Sequence, residues 1–202
     1  MGLKPQDILV GLKIVSIQDQ KDWSYQGISA VLGLSASETH ASVKRLISSK
    51  LLDDFGNKSI FVNPENFYEY IRHGIKYHYP PELSGIVEGI DCSINVALAK
   101  NVVNDQSETN PEAHLKQINQ PLNNGSYVWA HSGGNCHGIG LTPLYKSVPF
   151  AALKCEKLHK LMSLVEVMRT AETEYTKEFQ ACDRMLLTLL KPDNQVSAAV
   201  AS

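Results

Sequence analysis

Apolar residues at Ile8, Leu9, Leu12, Ile14, Val15 and Ile17 recur with the spacing of a helix face. Pro5 ahead of them suits a first helical turn, where its missing N–H has no partner to lose, so the pattern predicts a helix over residues 5–18. The polar run Gln18 to Asp22 ends it. Ile28, Val31 and Leu32 share one face of a shorter helix over 25–32, which Gly33 stops because glycine enters the left-handed conformation cheaply. Ser35 with Glu38 three residues on has the form of a capping box and opens a third helix to about Lys50, with Thr39, Val43, Leu46 and Ile47 facing inward. Leu51 to Phe55 and Ser59 to Val62 read as short strands around Gly56, Asn57 and Lys58, and Asn63-Pro64-Glu65 caps a fourth helix to about Tyr77 that turns Phe67, Tyr70, Ile71 and Ile75 inward.

Beyond Tyr77 the pattern weakens. Residues 78–126 hold four prolines and many Asn, Gln and Ser, with a brief alternation at Ile94, Val96 and Leu98, and read as an irregular connection. Tyr127 to Ala130 and Ile139 to Leu141 flank Ser132-Gly133-Gly134-Asn135, which predicts a hairpin. From Pro149 to Lys191 there is no interior glycine or proline, and Ser147 is placed to cap a helix opened by Pro149. Leu158, Leu161, Val165, Met168, Glu172, Tyr175, Phe179, Cys182, Leu186 and Leu189 follow a 3,4 spacing, the mark of a coiled-coil seam. The expectation is therefore a mainly α chain with small β-hairpins (α+β). Its parts are a first domain over 1–79, a connection over 80–148 with a hairpin near 127–141, a long dimerisation helix over 149–191 and a disordered tail over 192–202.

Composition narrows the class without choosing a function. The 202 residues are 43% hydrophobic and 20% charged, which speaks against wholesale disorder and fibrous folds. Nineteen basic against 21 acidic residues leave a net charge of −2, which excludes a polybasic nucleic-acid coat but not a local basic face. The N-terminal stretch lacks a signal-peptide pattern and no run approaches the length of a membrane span, so a cytoplasmic protein without membrane partners is expected. Cys92, Cys136, Cys155 and Cys182 contain no CxxC pair and read as free thiols in a reducing compartment.

A short helix, a Gly-Leu-Ser turn, a longer helix and a hairpin form the order of a helix-turn-helix with a wing. The segment GISAVLGLSASETHASVKRLISSKLL resembles the core of bacterial winged helix-turn-helix regulators, such as the MarR-like and IclR-like groups. The likeness spans residues 5–77 and is densest from Ile28 to Leu52. It implies a winged helix-turn-helix domain that binds double-stranded DNA as a dimeric transcriptional repressor. On the third helix, Ser37, Glu38, His40, Ala41 and Lys44 face out, as a helix entering a major groove requires. Ser35 would offer its N–H and hydroxyl to phosphate, Lys44 and Arg45 would reach phosphates, and Lys58 sits at the wing tip. The dimer would form through Leu158, Leu161, Val165, Met168, Tyr175, Phe179 and Leu186.

The competing reading is a protein-interaction module, such as an antitoxin or adaptor, that keeps the fold without binding DNA. Glu38, Asp53 and Asp54 favour it, being negative where a DNA-facing surface should be positive. A sensing role is a third reading, through a pocket beside the 127–141 hairpin lined by Trp129 and Tyr127. No cofactor, metal site or catalytic residue is expected. Cys155 with His159, and His131 with Cys136 and His137, lack metal-site spacing, SGGNCHGIG meets no phosphate-loop pattern, and no acid, base and nucleophile converge in sequence. Phe67, Tyr68, Tyr70, Tyr77 and Tyr79 are spaced as core aromatics.

Overall fold

A computed structural model describes residues 2–18, 23–56, 60–98, 126–134 and 136–191. Helix α1 (Pro5–Ser16) starts at Pro5, and the Asp7 carboxylate accepts the Lys4 N–H at 2.8 Å. Gln6 through Val15 are all buried, so α1 is the central post of the structure rather than a surface helix. Helix α2 (Tyr25–Leu32) is capped by Ser24, whose hydroxyl accepts the Gly27 N–H, and ends at Gly33 with φ 65°, a left-handed geometry in which glycine has no Cβ penalty. Helix α3 (Ala36–Ser48) is capped by Ser35, which accepts the Glu38 N–H at 3.1 Å. The return arm of the expected capping box is absent, because the Glu38 carboxylate instead accepts from Gln6 Nε2 at 2.7 Å and ties α3 to α1.

Strands β1 (Leu52–Asp54) and β2 (Ile60–Val62) pair antiparallel, with Leu52 opposite Val62 and Asp53 opposite Phe61. Leu52, Ile60 and Val62 face the core; Phe55 and Phe61 do not. Helix α4 (Pro64–Glu69) begins at an Asn63 cap and passes through a π turn (Tyr70–Gly74) into α5 (Ile75–His78). Phe67, Ile71 and Ile75 are fully buried along this run, so the inserted residue of the π turn re-aims the helix without breaking its apolar stripe.

The segment over 78–126 is not wholly irregular. Strand β3 (Leu83–Asp91) spans nine residues and helix α6 (Ile94–Leu98) follows it. Strand β4 (Tyr127–Ala130) and strand β5 (Cys136–Leu141) both pair antiparallel with β3 and pair parallel with each other, closing a three-stranded barrel. The expected 127–141 hairpin is thereby corrected: Tyr127 lies opposite Ile139 and Val128 opposite Gly140 in parallel register. Glycine makes this closure possible. A Cβ on Gly89 would lie 2.1 Å from the Trp129 carbonyl oxygen, and one on Gly134 would lie 2.3 Å from the Gly89 carbonyl carbon. Within SGGNCHGIG, Gly134 and Gly138 thus serve close backbone approach, to Gly89 and Ser126.

The single helix expected over 149–191 is three helices. Helix α7 (Val148–Lys154) ends where Cys155 takes an extended backbone, helix α8 (Glu156–Thr170) ends at extended Ala171, and helix α9 (Lys177–Leu190) restarts on a Thr176 cap that accepts the Phe179 N–H. The breaks let α7 pack on α2 while α8 runs against α1, α6 and α9, contacts that a straight rod over 149–191 could not make together. Ser147 precedes α7 without making a side-chain cap bond. The seam residues Leu158, Leu161, Val165, Met168, Phe179, Cys182 and Leu186 are buried within their own chain, whereas Tyr175 is 89% exposed. The proposed dimerisation seam is accordingly corrected to an intramolecular core, since these apolar faces are already covered. The coarse expectation of a mixed α and β chain holds. Residues 192–202, read in sequence as a disordered tail, lie outside the described residues.

Candidate functional site

Helix α3 presents one open edge. Ser35, Ser37, His40 and Lys44 are exposed and Ala41 is half-buried, while Thr39, Ser42, Val43 and Leu46 are buried beneath. The 3,4 spacing of Ser37, His40, Ala41 and Lys44 puts them on one stripe, which Ser48 extends at the helix end. No described segment of the chain buries this stripe. His40 is held edge-to-face against Tyr25, with ring centroids 5.2 Å apart, so the start of α2 orients it. The Tyr25 hydroxyl is held above its ordinary pKa by burial and by the nearby Asp54 carboxylate, and it stays a neutral donor.

Arg45 departs from the sequence reading. Its guanidinium donates to both oxygens of Asp7, from Nε at 2.7 Å and from Nη2 at 2.6 Å, and Nη2 also reaches Ser42 Oγ at 3.0 Å. Side-chain exposures of 6% for Arg45 and 0% for Asp7 remove it from any phosphate. A helical step of about 100° separates Lys44 from Arg45 and carries the second residue into the core. Hydrogen bonding to Asp7 raises the Arg45 pKa further, so the pair is ionic. Asp7 is the structural residue that sequence reasoning missed. Its place in the first turn of α1 was visible as a capping position, but its partner 38 residues away was not.

Among the described residues, the β1–β2 hairpin is acidic and aromatic. Asp54 is exposed and accepts the Gly56 N–H, Asp53 accepts from Asn63 Nδ2, and Phe55 and Phe61 are 66% and 40% exposed with rings 6.0 Å apart. Lys58, the expected tip cation, lies outside the described residues.

A second polar centre lies in the core between the barrel and α8. Glu166 accepts from Trp129 Nε1 at 3.2 Å, from the Leu144 N–H at 3.3 Å and from Arg169 Nη1. Arg169 donates in turn to the carbonyls of Tyr79, Pro80 and Thr142. His159 Nε2 lies 2.6 Å from the Asp91 carbonyl, and its ring sits 5.6 Å from that of Trp129. Burial raises the pKa of Glu166 and, well above its usual range, that of the Cys92 thiol. These groups satisfy one another and stitch β3, β4 and the Thr142–Leu144 turn onto α8. Trp129 is part of this stitching, and Tyr127 lines a cavity described below whose wall does not include Trp129.

Cys155 and His159 do not converge: Cys155 Sγ lies 3.6 Å from Lys13 Nζ, while His159 points to Asp91. Among the described residues no three His, Cys, Asp or Glu side chains cluster as metal ligands, and no helix is long and apolar enough to cross a membrane. No family model, curated protein or solved structure matches the chain.

Proposed function

We propose that this chain binds duplex DNA through α3 as a winged helix-turn-helix transcriptional regulator acting as a repressor. The observation that carries the reading is the uncovered stripe of Ser37, His40, Ala41 and Lys44 on a helix locked from behind by the Asp7–Arg45 pair. Small and polar side chains let the helix approach base edges in a groove about 12 Å wide, and a rigid support keeps their register. Lys44 supplies the phosphate contact, and Ser37 and His40 supply base-edge hydrogen bonding. The pairing of two copies that such a repressor uses on two half-sites has to employ a surface other than the buried α8 and α9 faces.

The test compares three variants on a panel of random and selected duplexes. Lys44→Ala weakens binding to all of them alike, whereas Ser37→Ala and His40→Ala change which sequences are preferred. Uniform effects of all three variants, or none, overturn the groove docking.

A second reading has a specific observation behind it. Asp53 and Asp54 beside the exposed Phe55 and Phe61 make a hairpin suited to a basic, apolar protein surface rather than to phosphate. An adaptor using this hairpin loses its partner on Phe55→Ser while Lys44→Ala leaves the partner bound.

A further inference from the structure

A cavity of about 480 Å³ opens between α6, the start of β4, the last turn of α8 and the segment joining α8 to α9. We infer that it is a binding site for a small organic cation with an apolar body, a role that stands apart from the duplex reading. Its volume lies in the range of small-molecule sites, roughly 300–1,000 Å³.

The wall chemistry selects the charge. Asn95, Tyr127, Thr170, Glu172 and Phe179 line the cavity, and no Lys, Arg or His side chain does among the described residues. Glu166 also reaches it, but Arg169 neutralises that carboxylate, and its oxygens are taken by the Trp129, Leu144 and Arg169 donors. Glu172 is left as the exposed carboxylate at the rim. Val167, Thr170 and Ala171 bring the C-terminal end of the 15-residue helix α8 into the wall, where the last carbonyls and the helix dipole carry negative partial charge. Thr176 and Phe179 bring the N-terminal turn of α9 into the wall with the opposite partial charge, so the two helix ends offset and Glu172 sets the preference for a cation over an anion. An ammonium group finds Glu172, while Phe179 and Tyr127 pack against its apolar portion.

The wall is also held in place. The joining segment that carries Glu172 is pinned by Glu174, whose carboxylate accepts from Arg72 at 3.0 Å and lies 3.5 Å from Lys76 Nζ. Arg72 sits in the π turn, pairs with Asp183 on α9 as well, and stacks over Phe179 at 4.6 Å. This side of the cavity is therefore held before any ligand arrives, which lowers the ordering cost of binding.

Three isosteric probes test the inference by calorimetric titration of the full chain: 2-phenylethylamine, 2-phenylethanol and phenylacetate. The amine is expected to bind roughly threefold to fivefold more tightly than the alcohol, the factor a partly exposed ion pair supplies, and phenylacetate not to bind. Glu172→Gln abolishes the preference for the amine while retaining the alcohol. Filling the cavity by Thr170→Trp, or by Thr173→Trp on the exposed joining segment, abolishes binding of both. Failure of the amine to bind at concentrations up to about 10 mM, equal binding of phenylacetate, or an unchanged preference in Glu172→Gln overturns the proposal.

Discussion

Replacing Arg45 separates the two roles that an arginine beside Lys44 can have. In the structure its guanidinium is spent on Asp7 and Ser42, with almost no exposure. Arg45→Ala leaves the Asp7 carboxylate fully buried with only the Lys4 N–H as donor. Breaking a buried pair from one side costs about 3–5 kcal/mol, because the desolvated charge loses its partner. A domain of this size loses about 2–4 °C of Tm per kcal/mol, so the variant should melt roughly 6–20 °C lower. Urea unfolding followed by the fluorescence of buried Trp129 measures the loss directly. Removing both charges in Asp7→Leu/Arg45→Met should recover most of it, apart from about 1 kcal/mol for the lost cap on Lys4. The penalty should also persist in high salt, since a pair without solvent contact is little screened. An Arg45→Ala protein as stable as the parent, yet weaker on DNA, would refute this assignment and return Arg45 to the phosphate surface.

Leu161 is fully buried between helices of its own chain, so Leu161→Ala should cost about 2–5 kcal/mol, with a Tm independent of protein concentration; a concentration-dependent Tm would restore the intermolecular seam. Gly89→Ala and Gly134→Ala should each destabilise the barrel by about 1–3 kcal/mol or more, through Cβ contacts with backbone that cannot yield, while Gly85→Ala, with nothing within 4 Å, should be tolerated. Urea titration of the three glycine variants checks this ordering. Hydrogen bonding to Arg72 lowers the Glu174 pKa below its ordinary value, so the carboxylate stabilises the fold above the unfolded pKa and ceases to do so as pH falls through the lower folded value. The stability advantage of the parent over Glu174→Gln should therefore be present at neutral pH and vanish in acid; an advantage that grows on acidification would contradict the pairing.

The first 78 residues were largely legible because their signals are local. Pro5, Ser24, Gly33, Ser35 and Asn63 each fix an element end through bonds made within a few residues, and the tertiary structure agrees with them. Legibility failed where the deciding contact is distant in sequence. Strand β3 looks unpatterned because its first half is exposed, and its partners lie some forty to sixty residues further on. The 3,4 spacing over 158–189 is equally that of helices buried in one chain, and the extended residues that divide them are ordinary Cys155 and Ala171. A Thr173-to-Thr176 stretch rich in capping residues was the available sign of the second break. Within the candidate site, the outward positions of Ser37, His40 and Lys44 follow from helical periodicity alone. The same periodicity turns Arg45 toward the core, but the partner that makes a buried arginine tolerable there, Asp7, lies 38 residues away and leaves no local signal.

The proposed contact of α3 with a nucleotide duplex, with Lys44 on phosphate, is read out by the salt dependence of binding. Anisotropy titrations of a random duplex across a salt series should show affinity falling steeply with salt for the parent chain, and a slope shallower by about 0.9 for Lys44→Ala, one counterion fewer released. Identical slopes for the two proteins, or no salt-sensitive binding by the parent at low ionic strength, would contradict the account.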